Sequence, residues 1–208
     1  LLEGKVAIVT GAGGGLGRAH ALLLAEHGAC VVVNDLGGAK DGTGSSNSMA
    51  DSVVEEIRNA GGQAAATYGS VTDDDAAKAM VQCAVDNFGR LDILINNAGI
   101  LRDRSFKNMT DAEWDAVIEV HLRGAYLVTK HSWQQMLTQG DGGRIIMTSS
   151  TSGLIGNFGQ ANYGAAKAGL AGFMRVLALE GIKYGITVNV LAPAALSRMT
   201  EDLIPESE

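Results

Sequence analysis

Three side chains late in the sequence have the types and spacing to move a proton. Tyr163 and Lys167 stand four residues apart in a segment that reads as helix, from about Gln160 to Tyr184, so they share one face. An ammonium beside a phenol favours the phenolate. That brings a group with an ordinary pKa of about 10 into acid–base work near neutral pH. Ser150 lies thirteen residues before Tyr163, just after an apolar run at Arg144–Thr148, and its hydroxyl could hold a substrate oxygen. Taken alone, the pair reads as an ordinary Tyr and Lys on an exposed helix. Ser150 and a second motif change that reading.

The second motif is Thr10-Gly11-Ala12-Gly13-Gly14-Gly15-Leu16-Gly17. It joins a short apolar strand, Lys5–Thr10, to a helical segment over 17–27. Glycines at Gly11, Gly15 and Gly17 permit a tight turn and let backbone come close to a pyrophosphate, and the helix start beside Leu16 supplies free N–H groups. A plain glycine-rich connector is the alternative, but the complete strand–loop–helix–strand context favours dinucleotide binding. The next strand, Cys30–Asp35, ends in a carboxylate. Asp35 there can accept hydrogen bonds from both hydroxyls of an adenosine ribose and would repel a 2′-phosphate, which points to NAD(H) over NADP(H). The alternative is a turn aspartate.

The elements that must position these groups alternate along the whole chain. Strands are expected at Lys5–Thr10, Cys30–Asp35, Gln63–Tyr68, Leu91–Asn96, Arg144–Thr148 and Ile186–Leu191. Helices are expected over 17–27, 47–60, from an N-cap at Thr72 to about Phe88, over one long stretch from about Thr110 to Met136, and over 160–184. Continuous apolar strands separated by helices predict an α/β fold: a doubly wound parallel sheet of the Rossmann type in three αβα layers. Residues 36–48 read as a mobile polar surface loop.

Composition narrows the function classes. The 208 residues are 46% hydrophobic and 19% charged, which suits one folded domain rather than a disordered chain. A net charge of −7 and the lack of a basic stripe exclude nucleic acid as a natural partner. Arg102, Arg104 and Lys107 form one small basic cluster that could meet a phosphate, or simply face solvent. Cys30 and Cys83 fit no metal or redox spacing, with Cys30 expected in the core, and they point to a reducing compartment such as the cytoplasm. No apolar run is long enough to cross a membrane.

These motifs together resemble the short-chain dehydrogenase/reductase family. TGAGGGLG is similar to its TGxxxGxG, Asn96-Asn97-Ala98-Gly99 to its NNAG, and Tyr163…Lys167 to its YxxxK, in the same order across nearly the whole chain. The resemblance implies that Tyr163 exchanges the substrate proton, Ser150 orients the oxygen and Lys167 holds the nicotinamide ribose. It places Asn97, Ala98 and Gly99 along the cofactor cleft, Ser70 and Val71 by the adenine, and Leu196 and Ser197 by the nicotinamide amide. His121 stands where many members carry an Asn that holds a relay water; a buried, hydrogen-bonded structural His is the other reading.

Further segments are similar to the (3R)-hydroxyacyl-CoA dehydrogenase module of peroxisomal multifunctional enzyme type 2 and its bacterial single-domain relatives. They are Asn34–Gly38, Ile100–Phe106, Val120–Gly124 and Gly156–Tyr163. That implies oxidation of a 3R-hydroxyacyl-CoA thioester to the 3-ketoacyl form with NAD, in the peroxisomal matrix if the source is eukaryotic. Other members of the family, such as a ketoacyl-carrier-protein reductase or a hydroxysteroid dehydrogenase, are alternatives, as is a nucleotide sensor without catalysis. The helices over 110–136 and 160–184 have apolar faces that pack on the sheet; the resemblance adds a homodimer or homotetramer interface. It also implies that residues 1–208 are a single NAD-binding domain that lacks the family's last strand and substrate-binding helix.

Overall fold

The computed structural model describes residues 1–193. Its strands are β1 (Val6–Thr10), β2 (Cys30–Asn34), β3 (Gln63–Thr67), β4 (Ile93–Asn96), β5 (Gly143–Thr148) and β6 (Ile186–Leu191). Its α-helices are α1 (Gly15–Glu26), α2 (Ser48–Asn59), α3 (Asp74–Phe88), α4 (Asp111–Ile118), α5 (Gly124–Gln139), α6 (Thr151–Leu154) and α7 (Ala161–Gly181). The strands form one sheet in the order β3-β2-β1-β4-β5-β6, and every pairing is parallel. This is the doubly wound Rossmann architecture. Strand order reverses next to β1, so the carboxyl ends of β1 and β4 open the crevice where ligands bind in such sheets.

The continuous apolar runs follow from burial on both faces. Val6 and Ile8 of β1 enter a core built with Met80 and Val81 of α3, Val128 and Met136 of α5 and Leu170 of α7. Ala7 and Val9 enter the opposite core, with Ala21 of α1 and Val53, Val54 and Ile57 of α2. β6 is different: Ile186 and Val188 are buried while Thr187 and Asn189 are exposed, so this strand keeps an alternating pattern at one edge of the described sheet.

Five expectations are corrected. The long helix over 110–136 is two helices joined by one π-helical turn, Glu119–Arg123. The extra residue in that turn carries His121 inward, and Gly124 leaves room for Val71, which a Cβ would meet at 2.6 Å. The N-cap of α3 is Asp73, whose carboxylate accepts from the Ala76 N–H; the Thr72 hydroxyl pairs with Ser70 at 2.9 Å instead. Helix α7 ends at Gly181 and tightens into a 3₁₀ turn at Ile182–Tyr184, closed by Gly185 in the left-handed region. The polar loop over 36–48 is not a free surface loop: Leu101 N–H donates to the Lys40 carbonyl at 2.9 Å and Arg102 Nε to the Asp41 carbonyl at 2.6 Å. Cys30 is half-buried rather than a full core residue. No helix among the described residues is long and apolar enough to cross a membrane.

Candidate active site

A cavity of about 520 Å³ runs along the carboxyl edge of the sheet, and its two ends differ in chemistry. At one end the glycine loop leaves β1. Gly11 and Gly15 adopt φ values of 62° and 52°, which L side chains rarely tolerate. Gly17 does not line the cavity; it lies under the loop, where a Cβ would stand 2.1 Å from the Gly11 carbonyl oxygen. Its place is close packing of helix on strand, while Gly11, Gly15 and Leu16 face the cavity. Helix α1 has no side-chain cap and no acidic residue in its first turn, so its first N–H groups and positive dipole end are free for an anion.

Asp35 lines the same end and is held by backbone: Gly13 N–H and Gly37 N–H each donate to it at 2.7 Å. Asn97 holds the loop from the other side, with Nδ2 donating to the Thr10 and Gly11 carbonyls, both at 3.0 Å. The N–H groups of Asn97 and Ala98 donate to the Thr10 hydroxyl. Ser70, Val71, Asn97, Ala98 and Gly99 line the cavity, as the resemblance implies. Leu196 and Ser197 lie outside the described residues. The cradle that a Cβ would fill, the uncapped helix start and the fixed carboxylate fit a dinucleotide.

Ser150, Tyr163 and Lys167 meet at the other end of the cavity. Ser150 follows β5 and caps α6, accepting from the Ser152 N–H at 3.2 Å. Lys167 is buried; its ammonium donates to the Thr148 carbonyl at 2.6 Å and sits 5.4 Å from the centroid of the Tyr163 ring. Burial pulls the Lys167 pKa down to about 7. Burial also pushes the Tyr163 phenol above its usual value; a hydrogen bond with Ser150 pulls it back and the charge of Asp103 pushes it further up. The expectation that Lys167 lowers the phenol is therefore outweighed here by desolvation. The lysine serves the strand-end carbonyl rather than the phenol oxygen.

His121 fills the space behind this pair. It is buried, its ring meets that of Tyr163 edge-on at 5.1 Å, and Nε2 lies 3.0 Å from the Ile100 nitrogen and 2.8 Å from the Ile100 oxygen. Burial holds its pKa well below the usual histidine value, with the Lys167 charge acting the same way. It is a buried, hydrogen-bonded histidine that also lines the cavity.

Several participants fall inside segments singled out by the resemblance but were given no role of their own. Asn162, fully buried, donates to the Arg102 and Glu113 carbonyls at 3.0 Å each and accepts from the Tyr163 N–H at 2.7 Å. Gln160 donates to Asp103 at 2.7 Å, which sets that carboxylate beside the start of α7. Their one sequence signal is position, next to Tyr163. The basic cluster disperses: Arg102 lines the cavity, Arg104 pairs with Glu113 at 3.0 Å, and Lys107 is exposed. Among the described residues no group of acidic, cysteine or histidine side chains could hold a metal ion.

Comparison with known proteins agrees with this geometry. The family described as short chain dehydrogenase matches residues 5–207. The chain is 56% identical over 204 residues to the mouse peroxisomal multifunctional enzyme type 2, covering 98% of this chain and 27% of that protein. It is 45% identical over 209 residues to a hydroxyacyl-CoA dehydrogenase of Mycobacterium tuberculosis, covering 97% of this chain and 64% of that one. A crystal structure of a short chain dehydrogenase from Mycobacterium avium superposes with a TM-score of 0.87 at 51% identity, over 99% of this chain and 72% of that one. The chain thus spans less than two thirds of each of the two named enzymes. Fold, cavity and motifs converge on one assignment: the protein belongs to the short-chain dehydrogenase/reductase family, oxidoreductases that work with a nicotinamide cofactor, NAD(H) or NADP(H).

Proposed function

We propose that the protein oxidises a (3R)-hydroxyacyl-CoA to the 3-ketoacyl-CoA with NAD. The observation that carries this reading is the convergence of Ser150, Tyr163 and Lys167 on one end of a cavity whose other end is closed by Asp35. Gly11, Gly15, Leu16, Asp35, Ser70, Val71, Asn97, Ala98 and Gly99 would hold the dinucleotide, whose nicotinamide, when bound, supplies the acceptor for the hydride leaving C3. Asp35 favours NAD. Backbone N–H groups fix its carboxylate in place, and a 2′-phosphate would meet that negative charge.

The side chains then divide the proton work. Ser150 Oγ and Tyr163 Oη hold the substrate hydroxyl, and the hydroxyl proton passes to Tyr163 Oη as C3 becomes a carbonyl. Tyr163 must be phenolate to accept it. An ammonium at Lys167, 5.4 Å from the Tyr163 ring centroid, would favour that phenolate against the desolvation that raises the phenol. His121 stays neutral and keeps the Ile100 backbone against the site.

The acyl-CoA assignment is supported by the name of the mycobacterial relative, a hydroxyacyl-CoA dehydrogenase, and by the Ile100–Phe106 and Gly156–Tyr163 segments. Exposed apolar side chains at Tyr126 of α5 and at Val176 and Leu179 of α7 support a homo-oligomer. The test is NADH formation from NAD with (3R)- and (3S)-hydroxyacyl-CoA in separate assays. Turnover of the 3R form alone is expected. Binding of NAD without turnover of either form overturns the acyl-CoA reading.

A further inference from the structure

The loop after β2 and the segment after β4 meet in front of the cavity, and this closes a ring of hydrogen bonds. β1 lies between β2 and β4 and is paired to both. From β2 the chain folds back on itself: Ser46 N–H donates to Leu36 O at 3.0 Å, Ala39 N–H to Thr43 O at 2.8 Å and Gly42 N–H to Ala39 O at 2.9 Å. Its tip reaches the far side. Leu101 N–H donates to Lys40 O at 2.9 Å, and Arg102 Nε donates to Asp41 O at 2.6 Å. Gly42 faces Ile100, whose Cγ2 a Cβ at that glycine would meet at 3.0 Å.

The far side is itself fastened. The Ile100 backbone is held by His121, and the Arg102 carbonyl accepts from Asn162 at 3.0 Å. Gly38, Ala39, Gly42, Ile100 and Arg102 all line the cavity, so the ring borders the same space as the glycine loop. Two backbone-to-carbonyl and guanidinium-to-carbonyl hydrogen bonds are weak enough to open on the time scale of turnover.

We propose that Arg102 is a positioning residue that latches the loop over residues 36–46 across the dinucleotide cleft, so that the cofactor enters and leaves only when this ring opens. The proposal rests on the reading of the cavity as a dinucleotide site. A gate of this kind changes the rates of binding and release together and leaves the equilibrium constant nearly fixed, whereas a direct contact to the cofactor changes affinity.

The geometry supplies its own lock. A Cβ at Gly42 lies 3.7 Å from the Ile100 Cβ, within the span of a disulfide. In a Gly42→Cys/Ile100→Cys variant, oxidation shuts the ring and reduction frees it. The φ of +86° at Gly42 strains both forms alike. NADH release is followed by stopped-flow displacement with excess NAD. The oxidised variant is expected to release NADH about tenfold or more slowly than the same protein after reduction, with a similar Kd. Arg102→Ala is expected to release and bind it about two- to tenfold faster than wild type. Wild type under the same oxidant controls for Cys30 and Cys83. Equal release rates in the oxidised and reduced variant, or no cross-link under oxidant, overturn the gate while leaving the cofactor reading intact. Failure of wild type to bind NADH overturns both.

Discussion

The two ends of the cavity are built on opposite principles. At the nucleotide end almost every polar group is satisfied by backbone. Asp35 takes two glycine N–H groups, Asn97 gives to two carbonyls, and the Thr10 hydroxyl accepts from two N–H groups. At the proton-transfer end, ionisable groups are held out of water. Lys167 has one carbonyl for its ammonium, and His121 and Tyr163 are both pushed toward their neutral forms. The first arrangement is rigid and stabilising. The second costs stability, and its charged forms become favourable only in pairs. Binding and chemistry are thereby separable by mutation.

The largest expected effect is at the proton-transfer end. Tyr163→Phe removes the proton acceptor and lowers kcat by about 10³-fold or more, with the NADH Kd unchanged, as steady-state rates and fluorescence titration would show. A result with kcat retained removes Tyr163 from the mechanism. Asp35→Asn acts at the other end. It weakens NAD binding by about tenfold and narrows the preference over NADP, because the charge and one acceptor are lost. Comparison of kcat/KM for the two cofactors reads this directly, and an unchanged ratio contradicts the assigned role.

Lys167→Met separates stability from activity. With the folded pKa near 7 and the unfolded value at 10.5, the unfolded chain holds a proton in that window that the folded chain does not. Wild-type stability therefore rises with pH from about 7 to 10.5, and the cost of the buried lysine is fully present below 7. The substitution should raise stability by about 1–3 kcal/mol at pH 7, and less at pH 10, while activity is lost. Thermal melts at both pH values check it; a destabilised variant at pH 7 shows that the hydrogen bond to Thr148 outweighs burial. The smallest effect is that of Asp103→Asn. The amide still accepts from Gln160, but the charge that raises the phenol is gone, so the rise of kcat with pH moves toward acid. His121, Lys167 and Ser150 face Tyr163 in both proteins. Because Asp103 is exposed, the displacement should shrink in high salt; an unmoved profile leaves Asp103 with a structural role alone.

Much of this was legible in the residues. Apolar runs located β1, β2, β4 and β5, since strands buried on both faces need no alternation, and β3 and β6, at the two ends of the described sheet, also fall where the alternation of elements places them. The glycine loop and the Tyr163–Lys167 spacing were visible because each is a local pattern. What remained hidden depends on contacts between distant residues. The π-turn at Glu119–Arg123 leaves no mark in an apolar stretch that continues across it; its cause is the space offered to His121 and Gly124. The docking of the loop tip depends on Arg102 finding Asp41, 61 residues away, and polar composition alone described that loop as mobile. The acceptor for Lys167 is a strand-end carbonyl, which no side-chain motif records.

The separation of the two ends is tested most directly by a double-mutant cycle between Asp35 and Tyr163, read as the NADH dissociation constant and as kcat at saturating cofactor. The Asp35→Asn/Tyr163→Phe protein should bind NADH as weakly as Asp35→Asn alone and turn over as slowly as Tyr163→Phe alone. If Tyr163→Phe by itself weakens NADH binding as much as Asp35→Asn does, the two ends are one coupled site and the division of labour described above is wrong.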